Sequence, residues 1–416
     1  MTPFAYRDGE LAVEGVSLTQ LAARYGTPCF VYSRAALEAS YLEFDRAFAD
    51  VPHLICYAMK ANSNLAILNL FARMGSGFDI VSGGELARAM AAGAEASRIV
   101  FSGVGKTDAE IMQALEIGIA CFNVESSSEL EHLNRLAGGA GKRVPVSLRI
   151  NPDVDPKTHP YISTGLKENK FGIAFEDALP LYRRAASLPH IDVRGIDMHI
   201  GSQITAIGPH REAAAKAFAL VDRLTAEGIV LEHIDLGGGI GIPYREGEAT
   251  IDLAEYAKTI RELLGRRRLK LLFEPGRVLV GNAGVLLTRV TYLKPGRDRH
   301  FAVVDAAMND LLRPALYDAW HDVRPVRPRE GPTTEWQVVG PVCESADFLA
   351  HNRELALAEG DLLALLSAGA YAMAMSSNYN SRPRAAEVMV DGKKTHLVRP
   401  RESVEELFAR ESLLPS

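Results

Sequence analysis

The sequence is poor in cysteine and in tryptophan, and it has no sustained run of one charge. Its four cysteines fall at 29, 56, 121 and 343 of 416 residues, with neither paired nor metal-ligand spacing. That excludes a disulfide scaffold or a zinc cage, so no metal is expected and a reducing, cytoplasmic compartment is. Cys29, Cys56 and Cys121 lie in apolar strand-like runs and read as small core hydrophobes. A net charge of −6 supplies no basic surface to follow a phosphate backbone, so nucleic acid is not an expected partner. No apolar stretch reaches the roughly eighteen residues of a membrane-spanning helix, and no membrane partner is expected. The start, Met1-Thr2-Pro3-Phe4 followed by charge, lacks the basic and apolar regions of a secretory leader.

What is present is an ordinary globular composition, 47% apolar and 24% charged, in a chain longer than one core usually serves. Two domains are expected. Ser33 has the character of an N-cap, and Leu37, Tyr41, Phe44 and Phe48 follow at helical spacing. From residue 54 short apolar runs recur at 54–58, 78–81, 98–101, 119–124, 144–150, 194–200, 231–236 and 270–274. Helical patterns separate them. Strand alternating with helix implies parallel strands joined by crossovers. Eight such strands predict an α/β fold, a (β/α)8 TIM barrel over 33–280, with an open doubly wound sheet as the alternative. After residue 280 the helical spacing fades. Alternating runs at 284–293, 300–305, 335–342, 362–367 and 385–390 predict a mostly antiparallel β-domain. It would comprise 281–416 together with residues 1–32. A last helix is expected near 402–412.

A barrel places its chemistry at the carboxyl ends of its strands, and the chain is rich there. Lys60 follows the first run, Asp79 and Ser82 the second and Ser102 the third. Asn123 ends the fourth, Arg149 and Asn151 the fifth, and His199 with Ser202 the sixth. Gly237-Gly238-Gly239 follows the seventh, and Glu274 with Arg277 the eighth. Lys60 stands out because the run Leu54-Ile55-Cys56-Tyr57-Ala58 delivers it to a strand mouth. Apolar surroundings disfavour the ammonium and free a nucleophilic amine, as a Schiff-base lysine requires. A solvated lysine at a strand end is the plainer reading of that stretch alone. The glycine run can converge backbone N–H groups on one phosphate, or simply form a tight turn. Glu274 in Glu274-Pro275-Gly276-Arg277 could pair with the arginine, or face a heterocyclic nitrogen that must stay protonated. His199 has no second ligand at metal spacing and suits stacking on a flat ring, with Ser202 near its phosphate.

These four stretches in this order resemble the fold-type III pyridoxal-phosphate enzymes, the alanine racemase-like barrels. Phe78-Asp79-Ile80-Val81-Ser82-Gly83-Gly84-Glu85-Leu86 is similar to their decarboxylase branch. The resemblance runs from Thr27-Pro28 to about Tyr379. It implies pyridoxal 5'-phosphate as cofactor, carried by Lys60 and contacted by Asp79, His199, Ser202, Gly237, Gly238, Gly239, Glu274, Gly276, Arg277 and Tyr371.

Asn309-Asp310-Leu311-Leu312-Arg313-Pro314-Ala315-Leu316-Tyr317 and Gly340-Pro341-Val342-Cys343-Glu344-Ser345-Ala346-Asp347 resemble the branch that acts on diaminopimelate. That likeness implies a small amino-acid substrate with a head at each end. Arg277, Arg313 and Tyr317 would hold its distal carboxylate, Glu344 its distal ammonium, and Tyr371 would lie near cofactor and substrate. Cys343 would be the acid that protonates carbon after CO2 leaves. Cys343 and Glu344 would come from the partner subunit, which implies a homodimer with shared active sites. Relatives acting on ornithine, arginine or a carboxylated polyamine carry CD where this chain has Cys343-Glu344, and a non-catalytic cofactor-binding protein is the other alternative. Thr158-His159-Pro160-Tyr161-Ile162-Ser163-Thr164-Gly165, running to Lys170-Phe171-Gly172, resembles the family's active-site loop. His159 receives no role.

Overall fold

The computed structural model describes residues 3–155 and 170–416. Residues 156–169, His159 among them, lie outside the described residues, and with them most of the stretch expected to form the active-site loop. The chain forms two compact units, Ser40–Ile242 with Ala249–Val278, and Met1–Ala39 with Pro243–Glu248 and Leu279–Ser416. The division falls within the helix Arg34–Ala47.

The first unit is a closed barrel of eight parallel strands. They are β1 (His53–Ala58), β2 (Gly77–Ile80), β3 (Ile99–Phe101), β4 (Cys121–Val124), β5 (Val144–Asn151), β6 (Ile191–Asp197), β7 (His233–Asp235) and β8 (Lys270–Phe273). Each pairs with the next, and β8 closes the ring onto β1 with Leu271 opposite His53. A two-residue strand, Ile173–Ala174, adds to the side of β5. Helix starts are fixed locally. Ser82, Thr107 and Ser126 each accept the N–H three residues on, and Thr107 forms a reciprocal capping box with Glu110. Each such cap stabilises its helix by about 1 kcal/mol. The aromatic face foreseen on the Arg34–Ala47 helix continues into the barrel wall, where Phe44 and Phe48 lie 5.4 and 4.3 Å from the ring of Phe273.

Strand alternation sorts the barrel's residues. Tyr57 points outward onto Phe71 (ring centroids 4.8 Å apart), whereas Leu54, Cys56, Val100, Cys121 and Leu272 pack together in one buried cluster. A polar layer begins beside them. Ser147 Oγ lies 3.1 Å from Cys121 Sγ and 2.7 Å from His233 Nε2. Position 195 is glycine because the His233 ring takes its side-chain space, a Cβ there falling 2.1 Å from Nε2. Two residues further along the same strands come Asn123, Arg149, Asp197 and Asp235, all buried.

The second unit is a nine-stranded, mostly antiparallel sheet with a small N-terminal meander. Cys29–Ser33 sits inside that sheet, antiparallel to Gly284–Lys294 and parallel to Ala386–Asp391. Three strands of this sheet, Val323–Pro325, Phe348–Leu355 and Lys394–Arg399, escaped the sequence reading, since residues such as Pro325, His351, Asn352 and Arg353 obscure the alternation. The last helix is shorter than expected, Val404–Phe408, under a Ser403–Glu406 capping box. No helix among the described residues is long and apolar enough to cross a membrane.

Candidate active site

Lys60 sits in a single 3-10 turn, Met59–Ala61, directly after β1. Tyr57 OH donates to the Asn62 carbonyl at 2.9 Å and braces that turn. Lys60 Nζ lies 3.4 Å from Asp79 Oδ2; the lysine side chain is 39% exposed while that of Asp79 is fully buried. The amine therefore stands at the barrel mouth on a fixed anion.

Glu274, just past β8, is buried among donors from two neighbouring strand ends. Ser102 Oγ and Asn123 Nδ2 approach its Oε1 at 3.4 and 3.3 Å. Burial, followed by the charges of Asp235, Asp79 and Asp197, pushes its carboxyl well above the ordinary range. One oxygen each of Asp197, Asp235 and Glu274 lies within 4.8 Å of the others. Burial pushes Asp197 up to about 7, with the Arg149 guanidinium opposing the shift. Arg149 donates to Glu125 at 3.0 Å and lies 3.9 Å from Asp197. Such a layer favours an incoming cation above it, because a positive charge relieves the like-charge repulsion that raises these carboxyls.

The glycine loop rests against this layer. Gly237 N–H donates to Asp235 Oδ1 at 2.9 Å, and Glu274 N–H returns to the Gly237 carbonyl at 2.8 Å. Gly238 N–H donates to His199 Nδ1 at 3.2 Å, so that nitrogen is the ring's acceptor. Burial, with the Lys60 and Arg149 charges, keeps the imidazole neutral, its pKa far below the ordinary histidine value. A Cβ on Gly238 would fall 2.1 Å from the Glu274 carbonyl oxygen. The residue is glycine because two backbones meet there. Arg277 Nη2 donates to Ser202 Oγ at 3.0 Å, which brings two of the expected phosphate-side residues together. A ring with a cationic nitrogen and a phosphate tail fits this donor set, with carboxylates on one side and N–H, hydroxyl and guanidinium groups on the other.

The remaining expected residues lie in the second unit. Arg313 is buried, and its Nη1 donates to His321 Nε2 at 2.9 Å. His321 Nδ1 faces the Leu366 carbonyl at 2.8 Å, which fixes the tautomer, since a carbonyl only accepts. The guanidinium also lies over the Tyr244 ring at 4.8 Å. Arg313 opens the short helix that Tyr317 ends. Cys343 and Glu344 are exposed. Cys343 N–H donates to Asn380 Oδ1 at 2.8 Å, and Tyr379 OH is 3.5 Å from Glu344 Oε2. Asp347 joins the Cys343 loop to the Asn309 segment, taking N–H bonds from Val342 (2.8 Å) and Met308 (2.7 Å). Tyr371 has a left-handed backbone, φ 55°.

Sequence reasoning placed Ser102, Asn123 and Arg149 at strand ends without a role, and missed Asp235, Glu125, His321 and Asp347. For Asp235 the signal was there: it stands two residues before the glycines on a strand whose inward face is polar.

Residues 34–281 match the family described as pyridoxal-dependent decarboxylase, pyridoxal binding domain. A relative from Pseudomonas aeruginosa named diaminopimelate decarboxylase is 59% identical over 415 residues, covering 100% of both chains. Among solved structures, diaminopimelate decarboxylase from Helicobacter pylori complexed with L-lysine has a TM-score of 0.92. It is 43% identical, over 95% of this chain and 99% of that one. The diaminopimelate decarboxylase of M. jannaschii in co-complex with L-lysine has a TM-score of 0.95 at 38% identity, over 99% and 98% of the two chains.

Proposed function

The chain belongs to the pyridoxal-dependent decarboxylases, and on that premise we propose that it removes one carboxylate of meso-2,6-diaminopimelate as CO2 and gives L-lysine. The observation that carries this reading is the barrel mouth itself: an amine at the end of β1 and a buried Glu274 ringed by Ser102 and Asn123. The full-length likeness to enzymes named for that substrate supports it.

Lys60 would hold pyridoxal 5'-phosphate, which when bound would supply an electron sink for the pair left when CO2 departs. Asp79 orients the amine. Glu274 would present negative charge to the ring nitrogen, and His199, held neutral, would offer a flat face without adding a competing cation. Gly237, Gly238, Gly239, Ser202, Gly276 and Arg277 would hold the phosphate end, with Tyr371 beside cofactor and substrate. Arg313, Tyr317 and Arg277 take the distal carboxylate, and Glu344 takes the distal ammonium. This remote grip decides which bond at the reacting carbon is cleaved. Cys343 would give its thiol proton to that carbon in place of the departed carboxylate, the pair that had bonded CO2 forming the new C–H bond.

Arg313→Ala should raise KM for diaminopimelate by roughly 10²-fold, the scale for losing one partner of a buried charged pair. Purified protein loaded with cofactor would be offered diaminopimelate, ornithine, arginine and lysine in parallel, and CO2 measured. Release mainly from ornithine or arginine would overturn the substrate assignment. An unchanged KM in Arg313→Ala would overturn the role of that residue.

We place Cys343 and Glu344 in the active site of a second copy of the chain, a reading supported by the exposure of both side chains here. Mixing Lys60→Arg and Cys343→Ala proteins, each nearly inactive, should then restore about a quarter of the wild-type rate. That is the share of intact sites in randomly paired two-fold dimers. No recovery after subunit exchange would place Cys343 in its own chain's site. The four free cysteines suit a reducing cytosol, where we place the enzyme.

A further inference from the structure

Asp235 lies beneath both halves of the proposed cofactor site, and its two oxygens have different surroundings. Oδ1 accepts the Gly237 N–H at 2.9 Å and so fixes the start of the glycine loop. Oδ2 is buried with no hydrogen-bond partner among the described residues, and one Asp235 oxygen lies within 4.8 Å of a carboxyl oxygen of both Asp197 and Glu274. An ionised Asp235 would add a third negative charge to a closed space and leave an anionic oxygen bare. Neither is tolerable in a low-dielectric interior.

The neighbours leave little to neutralise it. Asp79 stands on β2 beside Lys60, which follows β1. Arg149 on β5 is already shared between Glu125 and Asp197. Ser102 and Asn123, from the ends of β3 and β4, are turned to Glu274. Cys56, Cys121 and Tyr256 are the nearby ionisable groups whose own acidity Asp235 weakens, and burial keeps all three neutral. Burial and the Asp197 charge push the Asp235 carboxyl well above the ordinary range.

We propose that Asp235 is a positioning residue that acts as a neutral acid. Its Oδ1 clasps the phosphate-side loop while its Oδ2–H donates within the Asp197–Glu274 pair. With a cationic ring nitrogen bound above it, Glu274 is then the group that ionises, while Asp197 is the anion held against Arg149. One protonated side chain couples the geometry of the phosphate end to the charge at the nitrogen end. The inference rests on the cofactor reading above, but the proton itself can be seen independently of turnover.

Asparagine reproduces a neutral aspartic acid, with one oxygen to accept from Gly237 and one N–H donor in place of Oδ2–H. In the cofactor-loaded enzyme, Asp235→Asn should keep cofactor affinity and kcat within about threefold of wild type. Asp235→Ala should lose roughly tenfold or more in cofactor affinity, the scale of one hydrogen bond and its packing. Infrared difference spectra should show the carbonyl stretch of a protonated carboxylic acid in wild type at neutral pH, and its loss in Asp235→Asn. An Asp235→Asn protein that fails to fold, or that loses the cofactor as Asp235→Ala does, overturns the proposal. So does an infrared spectrum in which no protonated-acid band is lost on the asparagine substitution. A wild-type protein that neither binds pyridoxal phosphate nor releases CO2 would defeat the functional reading instead, while the infrared test of the Asp235 proton would still stand.

Discussion

Lys60→Arg should reduce decarboxylation by about 10⁴-fold, the upper range for loss of one acid–base group, since the nucleophilic attachment point goes with it. Arginine is the informative replacement. It keeps a cation against the buried Asp79, so the ion pair of 3.4 Å has a successor, yet a guanidinium does not give up its proton to become a nucleophile. The fold should hardly notice. The Lys60 side chain is partly exposed, and an ion pair with one exposed partner contributes on the order of 1 kcal/mol or less. Thermal melts of the two cofactor-free proteins should therefore coincide within a few degrees, on the scale set for small stability changes. Steady-state CO2 release and the visible absorbance of added pyridoxal phosphate are the readouts. A variant that retained more than about a hundredth of the wild-type rate would remove Lys60 from the centre of the chemistry.

The barrel was legible because its signal is repeated and local. Eight apolar runs alternating with helical segments survive an error in any one boundary, and the observed strands fall on them. The chemistry at the strand ends was legible for a related reason, since a period of two projects alternate residues into the interior. Once Leu54 and Cys56 point inward, the strand's end reaches the barrel mouth, and Lys60 follows it. What sequence alone could not supply is who meets whom across the barrel. Glu274, Ser102 and Asn123 are joined within 3.4 Å although 172 and 151 residues separate Glu274 from the other two. Asp235 could be placed on the inward face two residues before the glycines, but the lack of a hydrogen-bond partner for its Oδ2 among the described residues is a property of the fold. The second unit was read less completely. Its strands mix polar residues into the alternation, and Arg313 owes its fixed geometry to His321, which the sequence reading passed over.

Glu274→Gln should separate activity from stability at a single buried atom. The substitution keeps the shape and keeps an Oε1 that accepts from Asn123 and Ser102. It removes the negative charge that the nitrogen of the bound ring requires, and turns an N–H donor toward it. Losing one preorganised electrostatic partner lowers kcat by roughly 10²–10³-fold, and KM should change little because the remote grip on the substrate is intact. Stability should move the other way. The folded-state pKa of Glu274 is raised above its ordinary 4.5 by burial and by Asp235, Asp79 and Asp197. The folded protein therefore holds a proton that the unfolded chain releases as pH rises above that ordinary value. In that window the unfolded state binds fewer protons, so folding stability falls with increasing pH. Glutamine is neutral at every pH and abolishes this part of the slope. Cofactor-free wild type and Glu274→Gln should melt together at about pH 4 and diverge toward about pH 8, with the variant the more stable. A variant that melted below wild type at the higher pH would show that Glu274 is stabilised as an anion by neighbours within the protein. The charge would then already be satisfied without a bound ring, and the assignment of Glu274 as the waiting partner of the cofactor nitrogen would fail.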